Sequence, residues 1–129
     1  MTNPIVLLVE DQEDFQRLLQ LVLESEGYKV VVESTAEKAI EILAEFRPSI
    51  IVTDVMMPGI SGIELTRHVK TTPTLDNIPV IVLTGGTKDL IDEAKQAGAL
   101  VVMQKPIEVD DLLQLIKQYA PNEKQADGE

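Results

Sequence analysis

Four places in this chain carry side chains that can do chemistry. Glu10 and Asp11 close and follow the apolar run "PIVLLVE" (Pro4–Glu10). Asp54 ends "SIIVTD" (Ser49–Asp54), Thr84 ends "VIVLT" (Val80–Thr84), and Lys105 follows "ALVVMQ" (Ala99–Gln104) and precedes Pro106. Three carboxylates held near one another repel, which raises at least one pKa. A lysine relieves that repulsion, and so does a divalent cation. The chain has no cysteine and a single histidine, His68. Oxygen donors alone favour Mg²⁺ or Mn²⁺ over zinc. Acids, a metal, a lysine and a hydroxyl together suit phosphoryl transfer, because the cationic groups neutralise charge on the transferred group. An aspartate can itself be the nucleophile and become an aspartyl-phosphate.

These residues meet only if the elements before them lie side by side. Short apolar runs rich in β-branched residues alternate with helical periods. Strands are expected over Pro4–Glu10, Tyr28–Glu33, Ser49–Asp54, Val80–Thr84 and Ala99–Gln104,. Phe15, Leu18, Leu19, Val22 and Leu23 recur at helical spacing, and Gly27 marks a stop,. Ser34 or Thr35 caps a helix carrying Ala36, Ala39, Ile40 and Leu43. Ser61 caps one over Gly62–Lys70, a fourth runs from about Lys88 to Gln96, and the last covers Val109–Tyr119. Strict alternation predicts one α/β domain over residues 1–120: a doubly wound, five-stranded parallel sheet with helices on both faces. The expected strand order is the flavodoxin-like 2-1-3-4-5. That order brings the carboxyl ends of strands one, three, four and five to one edge, with Glu33 of strand two further out. The polar stretch "PNEKQADGE" predicts a disordered tail over 121–129,.

Composition narrows the function classes. The 129 residues suit one domain, and with 44% hydrophobic but only 3% aromatic residues the core must be aliphatic,. A net charge of −11 repels nucleic acid, so direct DNA or RNA binding is not expected,. The absence of cysteine, of a leader pattern and of any apolar run near the ~18 residues of a membrane span predicts a cytoplasmic protein without membrane contact,.

The motifs "LLVEDQED", "IIVTDVMMPGISGIEL", "IPVIVLTGG" and "VVMQKPI" resemble, in order and spacing, the receiver domain of two-component response regulators. The resemblance spans nearly the whole chain, and four motifs together are specific. It implies a phosphorylation-dependent signalling switch. Asp54 would accept a phosphoryl group from a sensor histidine kinase or a histidine phosphotransfer protein. Glu10 and Asp11 would hold Mg²⁺ with the Asp54 carboxylate and the backbone carbonyl of Met56. Lys105 would pair with the acid and then with phosphoryl oxygens, and Thr84 would swing towards the phosphate. The Lys105-Pro106 bond is a candidate cis peptide. Such a protein is not a classical enzyme, though it catalyses its own phosphorylation and slow autodephosphorylation. Its output passes to a downstream protein or to an effector domain absent from this sequence. One position departs from the pattern: Val102 stands where many receivers have the Tyr or Phe that moves with the threonine. A motion around Gly85 and Gly86 is the expected substitute.

Each residue also has a plainer role to set against these. Asp54 can cap a turn, Glu10 and Asp11 can cap the first helix, Lys105 can be a solvated lysine, and Thr84 a β-branched strand residue. Met56 is expected at the rim, Met57 in the core and His68 on the surface. Among other functions, an aspartate-nucleophile phosphatase needs a second Asp two residues after the first, where Met56 stands. A flavin carrier needs a Ser/Thr-rich loop after strand one, where "EDQED" would repel the phosphate. "TGGTK" lacks the spacing of a nucleotide-binding loop. A degenerate receiver acting only as a binding module would have lost the acceptor or the lysine, and both are present.

Overall fold

The computed structural model describes residues 4–122. Its elements alternate as β1 (Ile5–Val9), α1 (Glu13–Ser25), β2 (Lys29–Glu33), α2 (Ala36–Leu43), β3 (Ile50–Asp54), α3 (Gly62–Thr71), β4 (Val80–Thr84), α4 (Lys88–Ala97), β5 (Val101–Gln104) and α5 (Val109–Tyr119). All pairings are parallel, and the order is β2-β1-β3-β4-β5. The expected fold is therefore observed.

The near-continuous apolar runs follow from burial on both faces, since every residue of β3 and β4 is buried,. Alternation splits each strand between two layers. Leu7, Val9, Ile51, Val80 and Val82 face the layer under α2, α3 and α4, where Ala39, Leu65, Val69 and Ala94 fill the space. Val6, Leu8, Ile50, Val52, Ile81 and Leu83 face α1 and α5, against Leu19, Leu23, Leu112 and Ile116. Each fully buried aliphatic side chain contributes about 1.5–3 kcal/mol of transfer free energy. Small alanines on α2 and α4 let those helices approach the sheet closely.

Local signals fix the helix ends. Thr35, rather than Ser34, caps α2 by accepting from the Lys38 amide. Ser61 and Glu64 form a reciprocal capping box on α3,. Neither acid before α1 caps it: the N-cap is Gln12, without a side-chain bond. β5 begins at Val101, two residues later than expected, because Gly98 ends α4 in the left-handed region and the Ala99 amide is spent on Ala94 O,.

Beyond α5 the chain is sewn to the α1–β2 turn. The Tyr28 hydroxyl donates to Ala120 O at 2.8 Å, and the Asn122 side-chain Nδ2 donates to Glu26 O at 2.7 Å. Lys117 pairs with the Glu26 carboxylate at 2.8 Å. Asn122 is only 3% exposed. Asn122 of the segment expected as a tail is therefore packed against the domain, and the rest of that expectation, 123–129, lies outside the described residues. Among the described residues no helix is long and apolar enough to cross a membrane.

Candidate active site

The switch between β1 and β3 gathers the predicted residues at the carboxyl edge of the sheet. Glu10 follows β1 and its amide donates to Glu33 O, which pins the end of β1 to the edge strand β2. Asp54 is the last residue of β3 and is 4% exposed. Carboxylate oxygens of Glu10, Asp11 and Asp54 lie within 4.8 Å of one another. Glu10 is buried and Asp11 is exposed, so the cluster opens to solvent on one side.

Lys105 enters from β5. Its amide donates to Thr84 O at 2.8 Å, locking the end of β5 to β4. Its Nζ meets Asp54 Oδ2 at 2.7 Å. The Lys105-Pro106 peptide is cis, as expected. The ammonium also stands 5.8 Å from the centroid of the Phe15 ring, within cation–π range,. Phe15 was legible only as a core position of α1. Its place, four residues after Asp11 and so about one turn into the helix that starts at the site, is the signal that marks it.

The acids are only partly satisfied. Glu10 Oε2 accepts from the Gln12 amide at 3.1 Å, while Oε1 is buried without a hydrogen-bond partner. Burial, and then the charges of Asp54 and Asp11, push the Glu10 pKa from its usual 4.5 to about 6, against the Gln12 bond and Lys105,. A buried unpartnered oxygen beside two further carboxylates fits a hard divalent cation, which would take that lone pair. The folded-state pKa is raised, so this group stabilises the fold below its usual pKa, and that contribution is lost as pH rises through about 6. In chelator, Glu10→Gln should therefore be about 2 kcal/mol more stable than the parent near pH 8, with the gap closing below about pH 4.5. Urea unfolding at both pH values measures it. An equal gap at both pH values would remove Glu10 as the strained acid.

Thr84 is brought to the edge but not to the acids. Alternation places its side chain with Val80 and Val82, on the α4 side, whereas Asp54 sides with Ile50 and Val52,. Its hydroxyl accepts from the Gly86 amide at 2.9 Å. Val102 is half-buried in that same layer. Met56 is 67% exposed at the rim, Met57 packs against the core and His68 is half-buried on α3.

The loop after Asp54 is held by contacts that the sequence did not single out. Gly62 N donates to Val55 O, closing the loop. Glu37 of α2 accepts from the Ile60 amide at 3.2 Å. Gly59 sits at φ +82°, where its missing Cβ leaves room for that carboxylate,. Gln16 of α1 donates to Glu10 O and to Ser34.

Comparison with known proteins agrees with this geometry. The sequence profile described as the response regulator receiver domain matches residues 6–117. The chain is 34% identical over 122 residues to the sporulation initiation phosphotransferase F of Bacillus subtilis, covering 94% of this chain and 97% of that one. A crystal structure of a putative response regulator from Chloroflexus aurantiacus superposes with a TM-score of 0.86 at 28% identity, over 92% of this chain and 98% of that one. The Mn²⁺-bound form of the response regulator Rcp1 superposes with a TM-score of 0.78 at 26% identity, over 90% and 93% of the two chains.

Proposed function

This chain belongs to the response regulator receiver domain family, and from that premise we propose that Asp54 is its phosphoryl acceptor, served by Lys105 and Thr84. Receiver domains are phosphorylation-dependent switches of two-component signalling, and they take the phosphoryl group from histidine kinases or phosphotransfer proteins. The observation that carries the assignment to Asp54 is its position. It alone among the three acids is both buried and paired to Lys105 at 2.7 Å.

In the proposed reaction an Asp54 carboxylate oxygen attacks phosphorus. The O–P bond forms, the N–P bond of the phosphohistidine breaks, and its electron pair returns to the imidazole nitrogen. Lys105 then has phosphoryl oxygens to neutralise in place of the carboxylate. Glu10, Asp11, Asp54 and the Met56 carbonyl are the proposed ligands of Mg²⁺ or Mn²⁺, which when bound supplies positive charge against the phosphoryl oxygens. A cavity of about 330 Å³ lined by Glu10, Gln12, Phe15, Lys105, Pro106 and Ile107 supports a donor side chain approaching beside the acids. Water attack on the acyl phosphate resets the switch slowly. Turnover is therefore self-limited and the protein is no classical enzyme. The proposed donor is a cytoplasmic sensor kinase or phosphotransfer protein. The proposed output is to another protein or an effector domain, because a net charge of −11 disfavours nucleic acid,.

With Mg²⁺ and acetyl phosphate, intact mass should rise by one phosphoryl group, and Asp54→Ala should show no adduct. Failure with small donors and with a phosphorylated kinase would sink the proposal.

The proposed readout starts at Thr84. To reach the phosphoryl group its hydroxyl must leave the Gly86 amide, which frees the β4–α4 segment. With Val102 in place of an aromatic ring, that segment carries the change. Amide shifts at Gly85 and Gly86 should move on phosphorylation, and unchanged shifts there would place the output elsewhere.

A further inference from the structure

The free edge of β2 is self-complementary. Its sequence is Lys29-Val30-Val31-Val32-Glu33, and among the described residues its sheet neighbour is β1 alone. The Lys29 amide donates to Pro4 O at 3.1 Å, and Glu33 O accepts from the Glu10 amide at 3.0 Å. The odd-numbered residues thus aim their main-chain groups at β1. By alternation Val30 and Val32 aim theirs away from the sheet, where an edge strand offers them to another strand. β2 is also less covered than the centre of the sheet: its valines are half-buried, whereas β3 and β4 are buried throughout.

Laid antiparallel on a second copy about a two-fold axis at Val31, the strand satisfies two conditions in one register. Val30 meets the partner's Val32, so the outward N–H and C=O groups exchange four hydrogen bonds by symmetry. Lys29 meets the partner's Glu33 at the non-hydrogen-bonded positions, where cross-strand side chains come closest. A slip by two residues either way sets Lys29 or Glu33 against Val31 and loses both ion pairs. Among the described residues neither Lys29 nor Glu33 enters an ion pair within its own chain. A cavity of about 470 Å³ lined by Ile5, Glu24, Tyr28, Lys29, Val30 and Val31 opens beside the first half of the strand and leaves room for the partner's strand end. The other edge, β5, reads Val-Val-Met-Gln and has no such complement.

We propose that two copies of this chain associate through antiparallel pairing of their β2 edges, joining the two sheets into one of ten strands. The interface is isologous, and it needs neither metal nor phosphoryl group. A five-residue ladder lies below the usual size of a stable interface, so the dimer is weak.

Sedimentation equilibrium in chelator tests it, from about 10 µM to about 1 mM protein at about 0.15 M salt, where long-range repulsion between acidic chains is screened. The parent should pass from monomer to dimer across that range. Lys29→Glu and Glu33→Lys should each weaken association at least roughly tenfold by setting like charges opposite. An equimolar mixture of the two should restore it as a heterodimer, and the double charge swap should restore it within one chain. That recovery also shows that both variants fold. A parent that stays monomeric at the highest concentration would mean that Lys29 and Glu33 guard the edge against pairing, and would overturn the proposal. A dimer indifferent to both substitutions would overturn it too.

Discussion

Lys105→Met should slow phosphoryl uptake by about two orders of magnitude or more while tightening Mg²⁺ binding several-fold to roughly tenfold. The two effects run in opposite directions because, in the proposed reaction, one cation serves two clients. Before transfer, Nζ holds Asp54 Oδ2 at 2.7 Å, and its positive charge competes with any divalent ion for the same three acids. Removing it deepens the negative potential at the cluster and favours the metal. During transfer the phosphoryl oxygens need a fixed positive partner, and methionine supplies none. Its similar length keeps the packing over Phe15, so the fold should persist. Metal affinity by titration calorimetry and phosphorylation by rapid-quench mass measurement separate the two effects. Weaker metal binding, or uptake at the parent rate, would show that Lys105 acts in some other way.

Gly62→Ala should cost about 3 kcal/mol or more and lower the Tm by about 10 °C. A Cβ there would stand 2.0 Å from Asp54 O and 2.9 Å from Thr53 Oγ1. The obstacle is backbone, so no side-chain rotation relieves it. Gly62 also starts α3 and donates to Val55 O, which fixes it against the strand end. The matched control is Gly85→Ala, where the nearest atom, Lys105 Cβ, is 3.9 Å away and contact is ordinary. Thermal unfolding of both variants decides the matter. Equal small losses would mean that the loop after Asp54 yields easily.

The fold was legible because each strand is an unbroken apolar run and each helix a periodic one, with β4 and α5 bounded as expected. The acids and the lysine were legible because strand order alone brings their positions together. What sequence could not show was orientation. Thr84 and Asp54 both end strands, but alternation turns them to opposite layers, and Thr84 rests on the Gly86 amide. The contributions of Phe15, Gln16 and Glu37 depend on how α1 and α2 lie over the sheet. Side-chain reach across layers leaves no one-dimensional trace. Gly62 was legible as the start of a helix, and its contact with Asp54 O required the closed loop.

The clasp beyond α5 gives the molecule a mechanical character. A load applied at Asn122 is borne first by the bond to Glu26 O, then by the Tyr28–Ala120 bond and the Lys117–Glu26 pair. Those contacts join α5 to the turn between α1 and β2, so the pull is shared with α1 and β2. Tension at this end is therefore expected to load α5 in shear against that turn. These contacts act as a strain relief between the end of α5 and the strand ends around Asp54.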